Sequence, residues 1–187
     1  MKTAGILLAG GASTRFGSPK AFAIWNEKYF YEWALAALQS VCQEVAIVTR
    51  AELVKNFPTN LHVITDDEAF LGMGPLAGIY SGMQQVDADQ YFVLPCDMPN
   101  ITGEILETLY DCPFQGDVMA VQTQDTYHPL VSIWQNELKN KLFLELRENC
   151  RSVMRFLAKV ETTWVDGTLL VPNSANMFQN MNRPEWK

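Results

Sequence analysis

Gly5-Ile6-Leu7-Leu8-Ala9-Gly10-Gly11-Ala12-Ser13-Thr14-Arg15-Phe16-Gly17-Ser18-Pro19-Lys20 is the stretch that decides the fold. Its first five residues are apolar without alternation, which is how a central strand covered on both faces reads. A glycine-rich loop follows at once and ends in two cations. Gly10 and Gly11 allow backbone N–H groups to approach phosphate oxygens with no Cβ in the way, while Arg15 offers a planar fork of donors and Lys20 a compact point charge. The loop is neither of the two common nucleotide loops. It lacks the Gly-Lys-Ser/Thr ending of a phosphate-binding P-loop, and its glycine spacing does not match G-x-G-x-x-G.

Outward from this stretch, short β-rich runs alternate with helical patterns, as in stacked βα units. Asn26-Glu27 suits a turn, and Tyr29 to Leu38 carries apolar residues at helical spacing. Val45–Val48, Leu61–Ile64 and Tyr91–Leu94 read as further buried strands. Pro75 after Gly74 fits the first turn of a helix, and Thr102 opens another that runs through Asp111. In the second half, Val118–Val121 and Leu130–Trp134 read as paired strands, 137–146 and 153–157 as helices, and 173–182 as irregular. The expected fold is therefore α/β with three layers, a mostly parallel sheet with helices on both faces, and a mixed edge in the C-terminal half. No linker is visible, so residues 1–187 are expected to form one domain, with a nucleotide-binding half over about 1–110 and an acceptor-binding half over about 111–187.

Composition narrows the function. A net charge of −7 over 187 residues argues against a nonspecific grip on nucleic acid or an anionic membrane, so a polyanionic ligand must be held by local cations. The four cysteines are far apart and only two histidines are present, which argues against a zinc site or a disulfide framework. The apolar run from Gly5 to Gly10 is too short for a signal peptide or a membrane span. A cytoplasmic protein is expected.

Asp97, in Pro95-Cys96-Asp97-Met98-Pro99, falls just past the end of an apolar run, where open α/β sheets place their ligands. A hard divalent cation such as Mg2+ takes one or two protein carboxylates and completes its shell with water and substrate phosphates, so one aspartate suffices. Asp66 ends an earlier run. Its neighbours Asp67 and Glu68 read as a solvated acidic patch, with Asp67 as an alternative binder if the register differs.

The string from Leu8 to Lys20 resembles the L-A-G-G-x-S-x-R-x-G-x-x-K signature of the molybdenum cofactor guanylyltransferases, also called molybdopterin-guanine dinucleotide synthases. Gly74-Pro75-Leu76-Ala77-Gly78 resembles the family's G-P-L-A-G segment, Cys96-Asp97-Met98-Pro99 its C-D-x-P motif, and Asn180-Met181-Asn182-Arg183-Pro184-Glu185 its N-x-N-T-P-E segment. The resemblance spans nearly the whole chain. It implies a Rossmann-like nucleotidyltransferase fold and transfer of GMP from GTP to the phosphate of molybdenum-molybdopterin, with Mg2+ as cofactor. Leu8, Ala9, Gly10, Gly11, Lys20, Asp66, Leu76 and Asp97 would bind GTP, with Arg15, Lys20 and Asp97 catalytic and Asp97 on the metal. Asn180, Asn182 and Arg151 would bind the acceptor. Transient contact with molybdate-loading or cofactor-insertion proteins is implied by the family alone.

Departures from the pattern are informative. Thr49-Arg50 stands where the family often has an asparagine near the base, and Arg151-Ser152 where many members carry two arginines. His128-Pro129 resembles a segment at the family's site, although a lone histidine at a strand start is more often structural, and Arg155 joins Arg151 as a candidate contact for the acceptor phosphate or dithiolene. A cytidylyltransferase of the same fold, or a noncatalytic nucleotide-binding module, remains an alternative.

Overall fold

The structure is a computed structural model describing residues 1–11, 19–124 and 126–181. The leading apolar run forms β1 (Thr3–Leu8), followed by a small hairpin of β2 (Ile24–Trp25) and β3 (Lys28–Tyr29). The hairpin turns through Asn26 and Glu27, whose φ values of 46° and 67° match the expected turn. Next come α1 (Phe30–Val41), β4 (Glu44–Val48), β5 (Val63–Ile64), α2 (Pro75–Gln85), β6 (Gln90–Pro95) and α3 (Gly103–Tyr110). The second half adds β7 (Val118–Thr123), β8 (Thr126–Gln135), α4 (Leu138–Arg147), α5 (Val153–Leu157), β9 (Thr162–Asp166) and α6 (Ser174–Met177).

Seven strands form one sheet in the order β5-β4-β1-β6-β8-β7-β9. The first four are parallel, β8 runs antiparallel to both β6 and β7, and β9 is parallel to β7. This is the expected mostly parallel sheet with a mixed C-terminal edge. The pleat sorts β1 to two faces. Leu7 joins Ile47, Phe92 and the apolar sides of α1 and α3, while Ile6 joins Ala46, Val93 and those of α2, α4 and α5. Full burial of such aliphatic side chains is worth about 1.5–3 kcal/mol each.

Helix α2 lies unusually close to the sheet. A Cβ on Gly82 would fall 2.7 Å from Ile6 Cγ1, and one on Gly78 would fall 2.8 Å from Leu8 Cδ2. Two glycines one turn apart thus let the helix axis sink onto β1. The helix starts at Gly74, whose φ of 86° and ψ of −162° suit glycine alone, with Pro75 in the first turn where its missing N–H is not needed. Among the described residues no helix is long and apolar enough to cross a membrane.

Candidate functional site

The C-terminal ends of β5, β4, β1 and β6 form a row along one rim of the sheet. Leu8 pairs with Val48 on one side and Pro95 on the other, and Val48 pairs with Ile64. The ladder continues past the strand ends: Cys96 N donates to Leu8 O at 3.1 Å, Ala9 N to Val48 O at 2.8 Å and Thr49 N to Ile64 O at 2.9 Å. Buried Thr49 also donates its hydroxyl to Ala9 O at 3.2 Å. Leu8 and Ala9 are therefore clamped as they deliver Gly10 and Gly11 to the rim. Gly10 has no positive φ. The nearest atom to a Cβ built on it is Thr49 Cα at 3.7 Å, an ordinary contact. The described fold does not itself demand glycine there.

Lys20 returns to the same rim. It opens a short 3-10 turn, Lys20–Phe22, anchored by buried Ala21 and by the Phe22 ring, which packs 4.8 Å from Phe57 and 5.7 Å from Tyr31. Its Nζ lies 2.8 Å from Asp97 Oδ2, and both side chains are about one-fifth exposed (18% and 20%). Asp97 sits in the turn after β6, between buried Cys96 and Met98. Burial, with Asp97 beside it, pushes the Cys96 thiol up to about 12, so Cys96 is a packed thiol rather than a nucleophile.

Asp66 projects from the end of β5 toward α2. Its Oδ1 is 3.7 Å from the place a Gly78 Cβ would take, and its Oδ2 accepts from Gly72 N at 3.4 Å. Burial raises the Asp66 carboxyl above its ordinary value, and the Gly72 N–H only partly offsets this. Such a carboxylate gains from meeting hydrogen-bond donors. Asp67 is otherwise employed: its Oδ1 caps Ala69 N at 2.9 Å and its N–H donates to Ser81 Oγ at 2.7 Å. Of the two, only Asp67 caps its own turn.

The Leu76 side chain is wholly buried in the core between α2 and the sheet. Only its main chain can meet a ligand. The Leu76 N–H lies in the first turn of α2, where helix geometry supplies no acceptor.

The C-terminal segment is drawn to Asp97. Met181 N donates to Asp97 O at 2.9 Å, and Asn100 Nδ2 to Asn176 O at 3.4 Å. Phe178, 1% exposed, plugs the segment into the core against the His128 ring at 5.4 Å. Asn180 is thereby held, exposed, beside the carboxylate turn. His128 bonds Thr123 Oγ1 at 2.7 Å, and burial keeps its pKa below the ordinary imidazole value. It supports the segment from behind. The Arg151 guanidinium donates through Nε to Asn149 Oδ1 at 2.9 Å, and its carbonyl lies 3.8 Å from the Cβ position of Gly74, so it borders the start of α2. Arg15 and Asn182 lie outside the described residues. The links through Thr49 and Phe178 had no signal in the local sequence.

Gly10, Gly11, Asp66 and Asp97 follow the carboxyl ends of parallel strands, where open α/β sheets place their ligands, and Lys20 joins them through Asp97. Residues 5–163 match the model of the MobA-like NTP transferase domain, and the chain belongs to that family. It is 33% identical over 187 residues to a probable molybdenum cofactor guanylyltransferase of Bacillus mycoides (strain KBAB4), and 36% identical over 188 residues to one of Bacillus cereus (strain ATCC 10987 / NRS 248). Each alignment covers 98% of this chain and 93% of the relative. The fold is similar to that of molybdopterin-guanine dinucleotide biosynthesis protein A from Archaeoglobus fulgidus, with a TM-score of 0.79 at 22% identity, over 99% of this chain and 94% of that one. A nucleotidyl transferase from Methanothermobacter superposes with a TM-score of 0.72 at 14% identity, over 99% and 94%.

Proposed function

We propose that the protein transfers GMP from GTP to the terminal phosphate of molybdenum-molybdopterin, releasing pyrophosphate. The observation that carries this reading is the Lys20–Asp97 pair, a cation and a carboxylate 2.8 Å apart at the strand-end rim that also bears Gly10 and Gly11. The names of the Bacillus relatives, probable molybdenum cofactor guanylyltransferases, support a guanylyl donor and a molybdenum-cofactor acceptor.

A phosphate monoester has a second pKa near 6, so the acceptor is already largely dianionic at neutral pH and needs no protein base. One of its oxygens bonds to the α-phosphorus of GTP while the bond from that phosphorus to the β-phosphate oxygen breaks. Its electron pair leaves with pyrophosphate. The obstacle is repulsion between anions, so catalysis is positioning plus electrostatics. Lys20 and Arg15 would neutralise charge on the α-phosphoryl group and the leaving pyrophosphate, Gly10 and Gly11 amides would orient the phosphate chain, and Asn180 and Asn182 would pair with the pterin.

The donor set fits magnesium. Asp97 provides a partly exposed hard oxygen ligand, and among the described residues no cluster of three acidic, histidine or cysteine side chains suggests a softer or fully protein-bound metal. Bound by Asp97 and substrate phosphates, Mg2+ would supply further neutralisation of phosphate charge.

The test is a purified-protein assay with Mg2+, molybdopterin and each nucleoside triphosphate in turn, reading pyrophosphate and dinucleotide. GTP alone should support both products. Turnover with CTP instead would identify a cytidylyltransferase, and nucleotide binding without turnover a noncatalytic module.

A further inference from the structure

The two ends of the seven-stranded sheet differ in kind. At one end β5 is only two residues long and runs into Asp66. At the other, β9 presents Thr162–Asp166, five residues in unbroken parallel register with β7. No described residue pairs with its outer side. Asp117 N and Val118 N both donate to Glu161 O, at 2.8 and 3.1 Å, which turns that carbonyl toward β7. Backbone groups alternate along an edge strand, so Thr163 and Val165 also bond toward β7, whereas Thr162, Trp164 and Asp166 turn their N–H and C=O groups outward.

Such an edge is a template for another strand, and proteins blunt it with proline, lysine, a bulge or a very short strand. β9 carries none of these. Apart from Asp166 its residues are β-branched or aromatic, the types that suit a paired strand. Apolar surface continues beside it: Trp164 is only partly buried against the core, and Tyr127, 51% exposed, meets its ring edge-on at 4.6 Å.

The five residues are their own complement. Laid antiparallel to a second copy about a two-fold axis at Trp164, the strand sets Trp164 opposite Trp164, Thr163 opposite Val165 and Thr162 opposite Asp166. All three residues with outward backbone groups then face residues of the same kind, so each such pair exchanges both hydrogen bonds. Aromatic and β-branched pairs across strands stabilise a sheet, and no like charges are opposed. The Asp166 carboxylate is already engaged by Thr168, accepting from its N at 2.9 Å and its Oγ1 at 2.8 Å. This self-complementarity selects a second copy of the chain over an unrelated strand.

We propose that β9 is the interface of a symmetric dimer, in which two antiparallel β9 strands join the two sheets into one. Because β9 runs parallel to β6, the two strand-end rims point in opposite directions and neither copy lends a residue to the other's site. Pairing steadies the end of β9 and with it Gly167, against which Phe178 rests.

Light scattering of the full chain over about a hundredfold range of concentration tests this. The parent should show twice the chain mass of 21.1 kDa when concentrated and move toward the single mass on dilution. Trp164→Lys sets two cations face to face and should stay at the single mass. Hydrogen exchange in the parent needs no variant. The amides of Thr162, Trp164 and Asp166 should lose about tenfold or more of their protection on dilution, while those of Thr163 and Val165, bonded to β7 in either state, change little. Cross-linking reads the register. Opposed residues of a hydrogen-bonded pair lie about 5.5 Å apart at Cα, within disulfide reach, so Trp164→Cys should link two copies under mild oxidation. Thr163→Cys, opposite Val165 of the second copy, should not. A parent at the single mass throughout would overturn the inference. So would a dimer whose Trp164 amide exchanges as fast as in dilute protein, or one that survives Trp164→Lys without linking through Trp164→Cys, since its interface would lie elsewhere.

Discussion

Lys20 Nζ stands 2.8 Å from Asp97 Oδ2 although the two residues are 77 positions apart. The contact closes only because β1 and β6 are neighbours in register and because the 3-10 turn at Lys20 is anchored by Ala21 and Phe22. Lys20→Ala and Asp97→Ala should each lower turnover by about a hundredfold to a thousandfold, the usual loss for a preorganised electrostatic group. Since they act on the same charge, the double variant should be little worse than the poorer single one. Pyrophosphate release by the folded variants checks this, and near-parental turnover by either would remove that residue from the mechanism.

Asp66 carries a stability cost that its proposed task explains. Burial raises its folded pKa above the unfolded value of about 3.9, so the folded chain holds that proton more tightly. The favourable contribution is present at low pH and is lost as pH rises through the raised pKa. Asp66→Asn should therefore melt about 1–3 °C higher at neutral pH. The gap should shrink as pH falls toward 4. The same variant should bind GTP about tenfold to a hundredfold more weakly, because a charged acceptor is gone. Melting curves across pH and GTP titrations test both halves. A lower melting point or unchanged GTP affinity would contradict the assignment.

How far the sequence could be read follows from which signals are local. Gly5–Ala9 announces a buried central strand by being apolar throughout, and Pro75 marks the start of α2 because proline suits only the first helical turn. Strand β9 went unread for the opposite reason. Thr162–Asp166 pairs with β7 alone at the sheet edge and fully buries only Val165, so its pattern is that of a loop. The four residues of α6 are too few to show a period. Motif reading placed Lys20 and Asp97, whose meeting requires the fold. It could not tell that the Leu76 side chain turns inward, since a second helical position can face core or ligand. The ties of Thr49 to Ala9 and of Phe178 to His128 join distant segments and leave no trace in either one.

Gly82 tests the close seating of α2 on β1. In an exposed helix Gly→Ala stabilises by up to about 1 kcal/mol, but here the new methyl group would meet Ile6 Cγ1, Cδ1 and Cγ2 at 2.7, 2.8 and 2.9 Å. Ile6 is fully buried and cannot retreat. Overpacking costs typically about 1–3 kcal/mol, so Gly82→Ala should lower stability in urea unfolding despite its better propensity. Ile6→Val removes one of the three contacted atoms and should cost less in the Gly82→Ala background than in the parent. Gly78→Ala should also raise the KM for nucleotide, because the displaced helix would carry its first turn away from Asp66.

His128 and Phe178 test whether the C-terminal segment serves the acceptor. Phe178 is held between the His128 ring and Gly167, where a Cβ would lie 3.1 Å from Phe178 Cε2, and Met181 then bonds to Asp97 O. Phe178→Leu keeps an apolar plug of poorer shape. It should raise the KM for molybdopterin several-fold while GTP affinity stays within about twofold, because the nucleotide groups lie on other segments. A pH effect follows from the buried imidazole. Its folded pKa is below the unfolded value of about 6.5, so the unfolded chain takes the proton more readily and stability is lost as pH falls through that window. His128→Gln retains a partner for Thr123 without titrating. The variant should therefore lose less melting temperature than the parent between about pH 7.5 and 5.5, and its KM for the acceptor should change less over that range. Equal acid sensitivity in both proteins would place the responsible group elsewhere.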